Sequence, residues 1–352
     1  MTAATMVALV LAVWPFTVCG SAADCQPEPA PGPTSQAASP LAALPPHMRV
    51  LLPWGQRPEW DREGRVVFME KAFGDAYRID PRTRELTPLT AHYPHEGYDR
   101  VLVLANGDFL LTGPPELDAR DPWKDRHTRF EMSVLDRSLT KPPVRLGERL
   151  DEGPAVSRTR MHVAWTPPGQ RDIYEADIVY RDGVPSLANK RLVLSYAARP
   201  MNERLEPQDF RPPDERELIF SCYAGTVEEP FYFSEVCGLD LASGRITNYT
   251  KTPEQYDEPE GVFPDGRHTL VESDRHGENK KWKIDIYRLA LDGTNRADRL
   301  THFDGIPGGY HGSNPVVSPD GRQVVVQVGI HGSGAGQGRG LVLIDLTKAQ
   351  RR

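Results

Sequence analysis

The sequence predicts an all-β chain folded as a six-bladed β-propeller with four-stranded blades, and three observations carry the prediction. First, a Pro-Asp-Gly-Arg turn is spelled twice, in EPEGVFPDGRHTLVES (258–273) and HGSNPVVSPDGRQVVVQVG (311–329), each time between short β-branched or apolar runs. Second, similar units recur along the chain, with turn centres near 64, 107, 159, 215, 266 and 321. Their spacing of about fifty residues suits a propeller blade with variable loops. Third, several units end in an Asp, a tight turn and a short strand finishing in Thr, as in IDPRTRELTPLT and LDLASGRITNYT.

Taken in order, each unit can be justified from its own residues. Ser318, Pro319, Asp320 and Gly321 match a type I turn, with a polar residue first, the preset φ of proline second and glycine last. The Val-rich segments PVVS and QVVVQV flank it as a hairpin, and GLVLIDL (340–346) supplies a third strand. The first unit pairs WDREGRVVFME with AYRIDPRTRELTPLT, and the second pairs RVLVLANGDFLLTG with EMSVLDRSLTKPPVRLG. The third joins GPAVSRTRMHVAWT, YEADIVYRDG and RLVLS; the fourth joins QDFRPPDERELIFSCY and SEVCGLDLASGRITNYT. The fifth joins EGVFPDGRHTLVESD and KIDIYRLALDGTNRADRLT. The sixth has no outer strand of its own after DLTKAQRR, which would leave a sheet edge open to pairing. MRVLLPW (48–54), the first apolar run after the leader, is the expected donor that closes the ring.

FPDGRHTL and SPDGRQVV, followed by DIYRLALDGT and LVLIDL, resemble the WD40-like Pro-Asp-Gly repeats of TolB-type six-bladed propellers. The match is strongest in units five and six; the others follow by pattern. The resemblance implies a fold and a cell-envelope location. Repeats of this type also occur in peptidase gates and carbohydrate-active proteins, so the resemblance carries little about activity. No α/β-hydrolase stretch follows the last unit, so a propeller-gated peptidase is not expected.

The 352 residues hold 42 Lys and Arg against 49 Asp and Glu, for a formal net charge of −7, and no basic run is longer than a pair such as the terminal Arg-Arg. A phosphate-tracking nucleic-acid surface is therefore excluded. Residues 1–23 read as a secretory signal: an apolar segment broken by Pro15 and followed by small residues, though poor in positive charge at its start. Residues 24–47 read as a Pro/Ala-rich linker and 48–352 as the propeller. The expected location is periplasmic or extracellular, with no transmembrane span in the mature protein and a monomeric state. Neither Cys19 nor Cys25 follows the residues a lipoprotein processing site prefers, so no lipid anchor is expected. In an oxidising compartment Cys222 and Cys237, on neighbouring strands of unit four, would face each other as a disulfide; the alternative is two small core thiols.

Propellers keep their chemistry at the channel mouth where inner strands begin. Aligning the units on their turns places Asp99, Arg100, Glu152, Glu206, Gln208, Asp257, Glu258, Glu260, His311 and Asn314 around that mouth. Asp99, Arg100, Glu152, Glu206, Glu258, His311 and Asn314 are the candidate ligand-binding set. A ring of acids with one Arg and one His suits a cation, a sugar or a basic peptide, or acid/base chemistry between paired carboxylates. It equally suits the polar lining of a water-filled channel. The other histidines lack ligand-like spacing, so neither a metal nor a cofactor is identified. HGSGAGQGRG (331–340) lacks the Gly-x-Ser-x-Gly and Walker patterns and reads as a hairpin loop. Asn248-Tyr249-Thr250 is a glycosylation triplet of a kind common by chance.

Two functions remain at this stage. One is an exported non-catalytic binding or scaffolding propeller of the cell envelope, with an envelope protein or a saccharide as its partner. The other is a carbohydrate-active lyase or hydrolase that uses the acids at the channel mouth. The absence of a sharp catalytic motif favours the first.

Overall fold

The computed structural model describes residues 40–42, 44–169, 171–195, 204–224, 232–277, 283–306, 308–330 and 338–349, all within one compact unit spanning Ala38–Arg352. The leader, Cys19, Cys25 and most of the 331–340 loop lie outside the described residues.

Six four-stranded antiparallel sheets make the propeller. A first strand, β1 (Met48–Leu52), precedes blade one, which comprises β2 (Gln56–Trp60), β3 (Val66–Met69), β4 (Ala76–Ile79) and β5 (Leu86–Pro88). Blade two has β6 (Arg100–Val103), β7 (Phe109–Gly113), β8 (Glu131–Leu135) and β9 (Val144–Arg149), with a helix α1 (Pro122–Thr128) inserted between β7 and β8. Blade three has β10 (Asp151–Val156), β11 (His162–Thr166), β12 (Asp172–Arg181) and β13 (Val184–Ser195). Blade four has β14 (Arg204–Phe210), β15 (Glu217–Ala224), β16 (Phe233–Asp240) and β17 (Ile246–Asn248). Blade five has β18 (Asp257–Val262), β19 (His268–Ser273), β20 (Asp285–Ala290) and β21 (Ala297–Arg299). Blade six has β22 (Tyr310–Val317), β23 (Gln323–Ile330) and β24 (Leu341–Asp345), and its fourth strand is β1, paired through Met48↔Ile344 and Val50↔Val342. Leu51 and Leu52 are buried there, each burial worth roughly 1.5–3 kcal/mol. Leu41 and Leu44, within the stretch read as linker, also pack against the core of blade six.

The repeated turns have a common physical reason. Gly64, Gly107, Gly266 and Gly321 all take positive φ, which L side chains rarely adopt. At Gly266 the requirement is double, because a Cβ there would collide with the Pro212 carbonyl oxygen of the neighbouring blade. The terminal threonines are latches. Thr90, Thr250 and Thr301 are buried, and each hydroxyl accepts a backbone N–H of the third strand, from Ala76, Val236 and Ile286 at 3.0, 3.2 and 2.9 Å. Each latch pins the end of the outer strand and satisfies a buried donor.

In blade four the buried sulfurs of Cys222 and Cys237 lie 2.7 Å apart, on residues diagonal to one another across the β15–β16 pair. Among the described residues no helix is long and apolar enough to cross a membrane.

Candidate functional site: the central channel

The inner strands β2, β6, β10, β14, β18 and β22 line the channel. The backbone N–H of Asp61, Leu104, Ser157, Arg211, Phe263 and Ser318 each closes its blade's first turn onto a carbonyl beyond it. Counting five residues back from each gives Gln56, Asp99, Glu152, Glu206, Glu258 and Ser313. All six are polar and all six are buried. Irregular pairing interrupts five of the inner strands close to this level, between Gln56/Glu59, Asp151/Ala155, Pro207/Asp209, Pro259/Gly261 and Ser313/Val316. Arg57, Glu152 and Asn314 take positive φ there, as bulges that redirect side chains often require.

The mouth where inner strands begin is filled by protein. Asp121 caps α1 through Lys124 N at 3.1 Å, with Pro122 in the first turn, so the helix starts where sequence rules would start it. It delivers Arg126, 3.1 Å from Asp99 and hydrogen-bonded to Glu152. Arg57 lies 3.6 Å from Asp99, Arg204 lies 4.0 Å from Glu152, and His127 accepts or donates at 2.6 Å to Asp151. Burial opposes ionisation of Glu152, but Arg126, Arg204 and Arg57 outweigh it and hold its carboxyl at about 2. Asp151 lifts the pKa of His127.

Deeper in the channel the balance reverses. Tyr223 donates toward both Glu206 (3.2 Å) and Glu258, and Tyr256 also donates to Glu258. Asn314 donates from its backbone to Glu272 at 2.6 Å and from its amide to Glu260 at 3.2 Å. Burial, then the neighbouring Glu152 and Glu258, pushes Glu206 up to about 8; burial and Glu260 push Glu258 up to about 7. Glu272 is driven well above the carboxylate range by burial beside Glu260 and Glu258. Carboxylate oxygens of Glu258, Glu260 and Glu272 lie within 4.8 Å of one another, a hard-oxygen set of the kind that suits Ca²⁺, Mg²⁺ or Mn²⁺. His127, Asp151 and Glu152 form a second such group at the filled mouth.

At the opposite end, where the first turns lie, the channel opens into a cavity of about 380 Å³ to which all six blades contribute. Trp60, Leu102, Pro154, Val156 and Val316 make apolar walls, Glu59, Asp61, Asp209, Glu215 and Glu260 are its acids, and Arg62 and Arg158 its cations. It narrows inward to a neck of about 30 Å³ lined by Arg57, Arg100, Glu59, Glu260, Gln208 and Asn314. Burial raises Glu59 to about 7 against the pull of Arg158.

The structure thus brings Asp99, Arg100, Glu152, Glu206, Glu258 and Asn314 into one channel. They are mostly enclosed rather than set at an open mouth, as the sequence led us to expect. His311, two residues further from the turn than Ser313, lies opposite Gly329 and packs over it. Asp257 turns to Arg275 at 2.6 Å and to Thr252. Gln56, Arg57, Arg126, Arg204, Tyr223, Tyr256, Glu272 and Ser313 were missed. Asp121-Pro122 was the available signal for Arg126, and counting back from the turns would have found Gln56 and Ser313.

Six four-stranded blades around a polar channel define a six-bladed β-propeller, the architecture implied by the resemblance of the Pro-Asp-Gly repeats to TolB-type propellers. Solved structures of similar shape include an oligogalacturonate lyase in complex with manganese, at 15% identity, covering 84% of this chain and 78% of that one, with a TM-score of 0.50. The calcium-binding protein regucalcin from Agrobacterium tumefaciens matches at 12% identity, covering 84% and 92% of the two chains, with a TM-score of 0.50. TolB from Acinetobacter baumannii matches at 16% identity over 82% and 67%, with a TM-score of 0.42. At these identities the likeness is one of fold. Neither a family model nor a curated protein sequence matches the chain.

Proposed function

We propose that this is a non-catalytic binding propeller whose ligand sits in the turn-side mouth of the channel. The observation that carries the reading is the 380 Å³ cavity itself: apolar walls drawn from every blade converge on a few buried polar groups, the usual build of a small-molecule site. The other mouth is occupied by Arg126 and its ion pairs, so it supports closure rather than entry. A thermal-shift and calorimetric screen of small ligands tests the reading, with Leu102→Trp filling the cavity. Ligands that bind the parent should not bind Leu102→Trp. Equal binding by both proteins would contradict the proposal.

A second reading, an acid/base enzyme acting on saccharides, is favoured by one observation: Glu206 and Glu258 converge on the Tyr223 hydroxyl, and burial brings both into the neutral range. Turnover of acidic oligosaccharides by the parent, lost in Glu258→Gln, would establish it. The leader-like start supports export to the envelope, which mass measurement of the mature N-terminus would test.

A further inference from the structure

We infer that the protein carries a second site, for a small ligand bearing two or more oxyanion groups, in the cleft where blade six meets blade one. It stands independently of what the turn-side cavity binds.

The cleft follows from the way the ring closes. β1 is the outermost strand of blade six and lies against the β4–β5 turn of blade one. Two arginines bridge that seam in opposite directions. Arg49 of β1 donates to the Pro81 carbonyl at 2.8 Å, and Arg84 of blade one donates back to the carbonyls of Val50 and Leu51 at 3.4 and 2.8 Å. All three acceptors are neutral, so the seam draws two guanidiniums together with no carboxylate between them. Partial burial, and after it the charge of Arg84, lowers the pKa of Arg49. A third arginine, Arg62 in the first turn of blade one, donates to the Arg158 carbonyl. Arg49, Arg62 and Arg84 line one open cleft of about 610 Å³.

The charges around this cleft do not cancel. Its other charged residues are Arg82, Glu63 and Asp320. Arg82 is met by Asp80 at 2.9 Å and Glu63 by Arg65 at 2.5 Å. Asp320 is turned into its own hairpin, where it accepts from the Ser318 hydroxyl at 2.6 Å and the Arg322 N–H at 3.0 Å. Among the described residues no carboxylate lies within ion-pair distance of Arg49, Arg62 or Arg84. Three unmatched cations therefore stand against one carboxylate, in a chain whose formal net charge is −7. All three arginines are exposed, so the N–H groups they do not spend on carbonyls are within reach of a ligand.

A guanidinium offers its donors as a planar fork that matches carboxylate and phosphate oxygens. One oxyanion between Arg49 and Arg84 would relieve their repulsion, and Arg62 supplies a place for a second. Attraction to a multivalent anion sums over the three cations, whereas each alone in water is worth little. The cleft is within the usual small-molecule range of about 300–1,000 Å³, which leaves room for a body between the charged groups. Trp60, Pro81 and Pro319 give it apolar surface. Because the walls come from β1 and from blade one, a ligand seated there also holds the ring shut.

The test is calorimetry and thermal melting of the full chain with pyrophosphate and citrate, at constant ionic strength, with sodium chloride as the monovalent control. At least one of the two should bind and raise Tm. Binding of pyrophosphate alone assigns a phosphate ligand, and binding of citrate alone a carboxylate ligand; either result supports the site. Arg49→Gln and Arg62→Gln should each weaken binding roughly tenfold or more, Arg49→Lys should restore part of it, and sodium chloride at about 0.5 M should weaken it to a similar degree. Arg120→Gln, an exposed arginine of blade two, should bind like the parent. Leu102→Trp should also bind like the parent, since Leu102 lines the turn-side cavity and not this cleft. Should Arg49→Gln fail to fold, Arg62→Gln carries the test, because Arg62 makes no contact across the seam with β1. The assignment is overturned if neither anion binds, if Arg49→Gln and Arg62→Gln bind as tightly as the parent, or if added salt leaves the affinity unchanged.

Discussion

The two ends of the channel are built from the same inner strands, yet they solve opposite problems. At the strand-start end, Asp99 and Glu152 are met by Arg57, Arg126 and Arg204, and a helix from blade two supplies the decisive guanidinium. At the turn end, residues of all six blades surround an open cavity with apolar walls and several acids. Paired charges fill one end; the other is an open, largely apolar cavity.

Breaking the sealed end should have the largest effect. Arg126→Met leaves two buried carboxylates short of a partner and should cost roughly 3–5 kcal/mol in denaturant unfolding. Arg158→Ala, which removes the part-exposed ion pair to Asp209 at the open end, should cost within about 1 kcal/mol. Similar losses for both would mean that the ends do not differ as described.

The acids give a second contrast. Glu152 is ionised and paired, so Glu152→Gln should destabilise by roughly 1–3 kcal/mol at pH 7. Glu272 is held protonated by burial beside Glu260 and Glu258, so Glu272→Gln should be neutral or raise Tm, most clearly at pH 8. A large loss in Glu272→Gln would contradict that picture.

Those same groups set the pH dependence. Glu206 and Glu258 keep their protons to about pH 8 and 7 in the folded chain but release them near the ordinary value of 4.5 when unfolded. Their contribution is fully present below pH 4.5 and is lost as pH rises through 7 to 8. Glu152, held at about 2, acts in the other direction: its contribution is present above 4.5 and is lost as pH falls toward 2. Melting temperature should therefore peak near pH 5 and fall toward pH 8; a steady rise over that range would refute the buried cluster.

The smallest expected effect concerns blade four. Protein recovered from an oxidising compartment should show no titratable thiol from Cys222 or Cys237 after denaturation, and two thiols after reduction. Two thiols without reduction would mean that the pair stays reduced.

Much of the ring was legible because its rules are local. Pro-Asp-Gly turns, terminal threonines and the polar residues just before inner strands each declare themselves within a dozen residues. Asp99, Glu152, Glu206 and Glu258 could be placed on one level because the turns gave a common origin. Glu272 was hidden because it reaches the channel only through its register opposite Glu258 on the second strand. Arg126 was hidden because an insertion between strands looks like a loop, although Asp121-Pro122 marked a helix start. His311 sits two residues further from its turn than the level of Glu152, Glu206 and Glu258, at the offset that Arg204 holds in blade four. The turn-side cavity left no mark in the sequence, since Trp60, Leu102 and Val316 look like any core residues until six blades set them around one axis.

The central claim is that the open, turn-side mouth is where this propeller binds. A crystal structure of the protein grown with a ligand from the screen tests it most directly. The account predicts that ligand between Trp60, Leu102 and Val316. A ligand seated beside Arg126 and His127 at the opposite mouth, or outside the channel altogether, would contradict it.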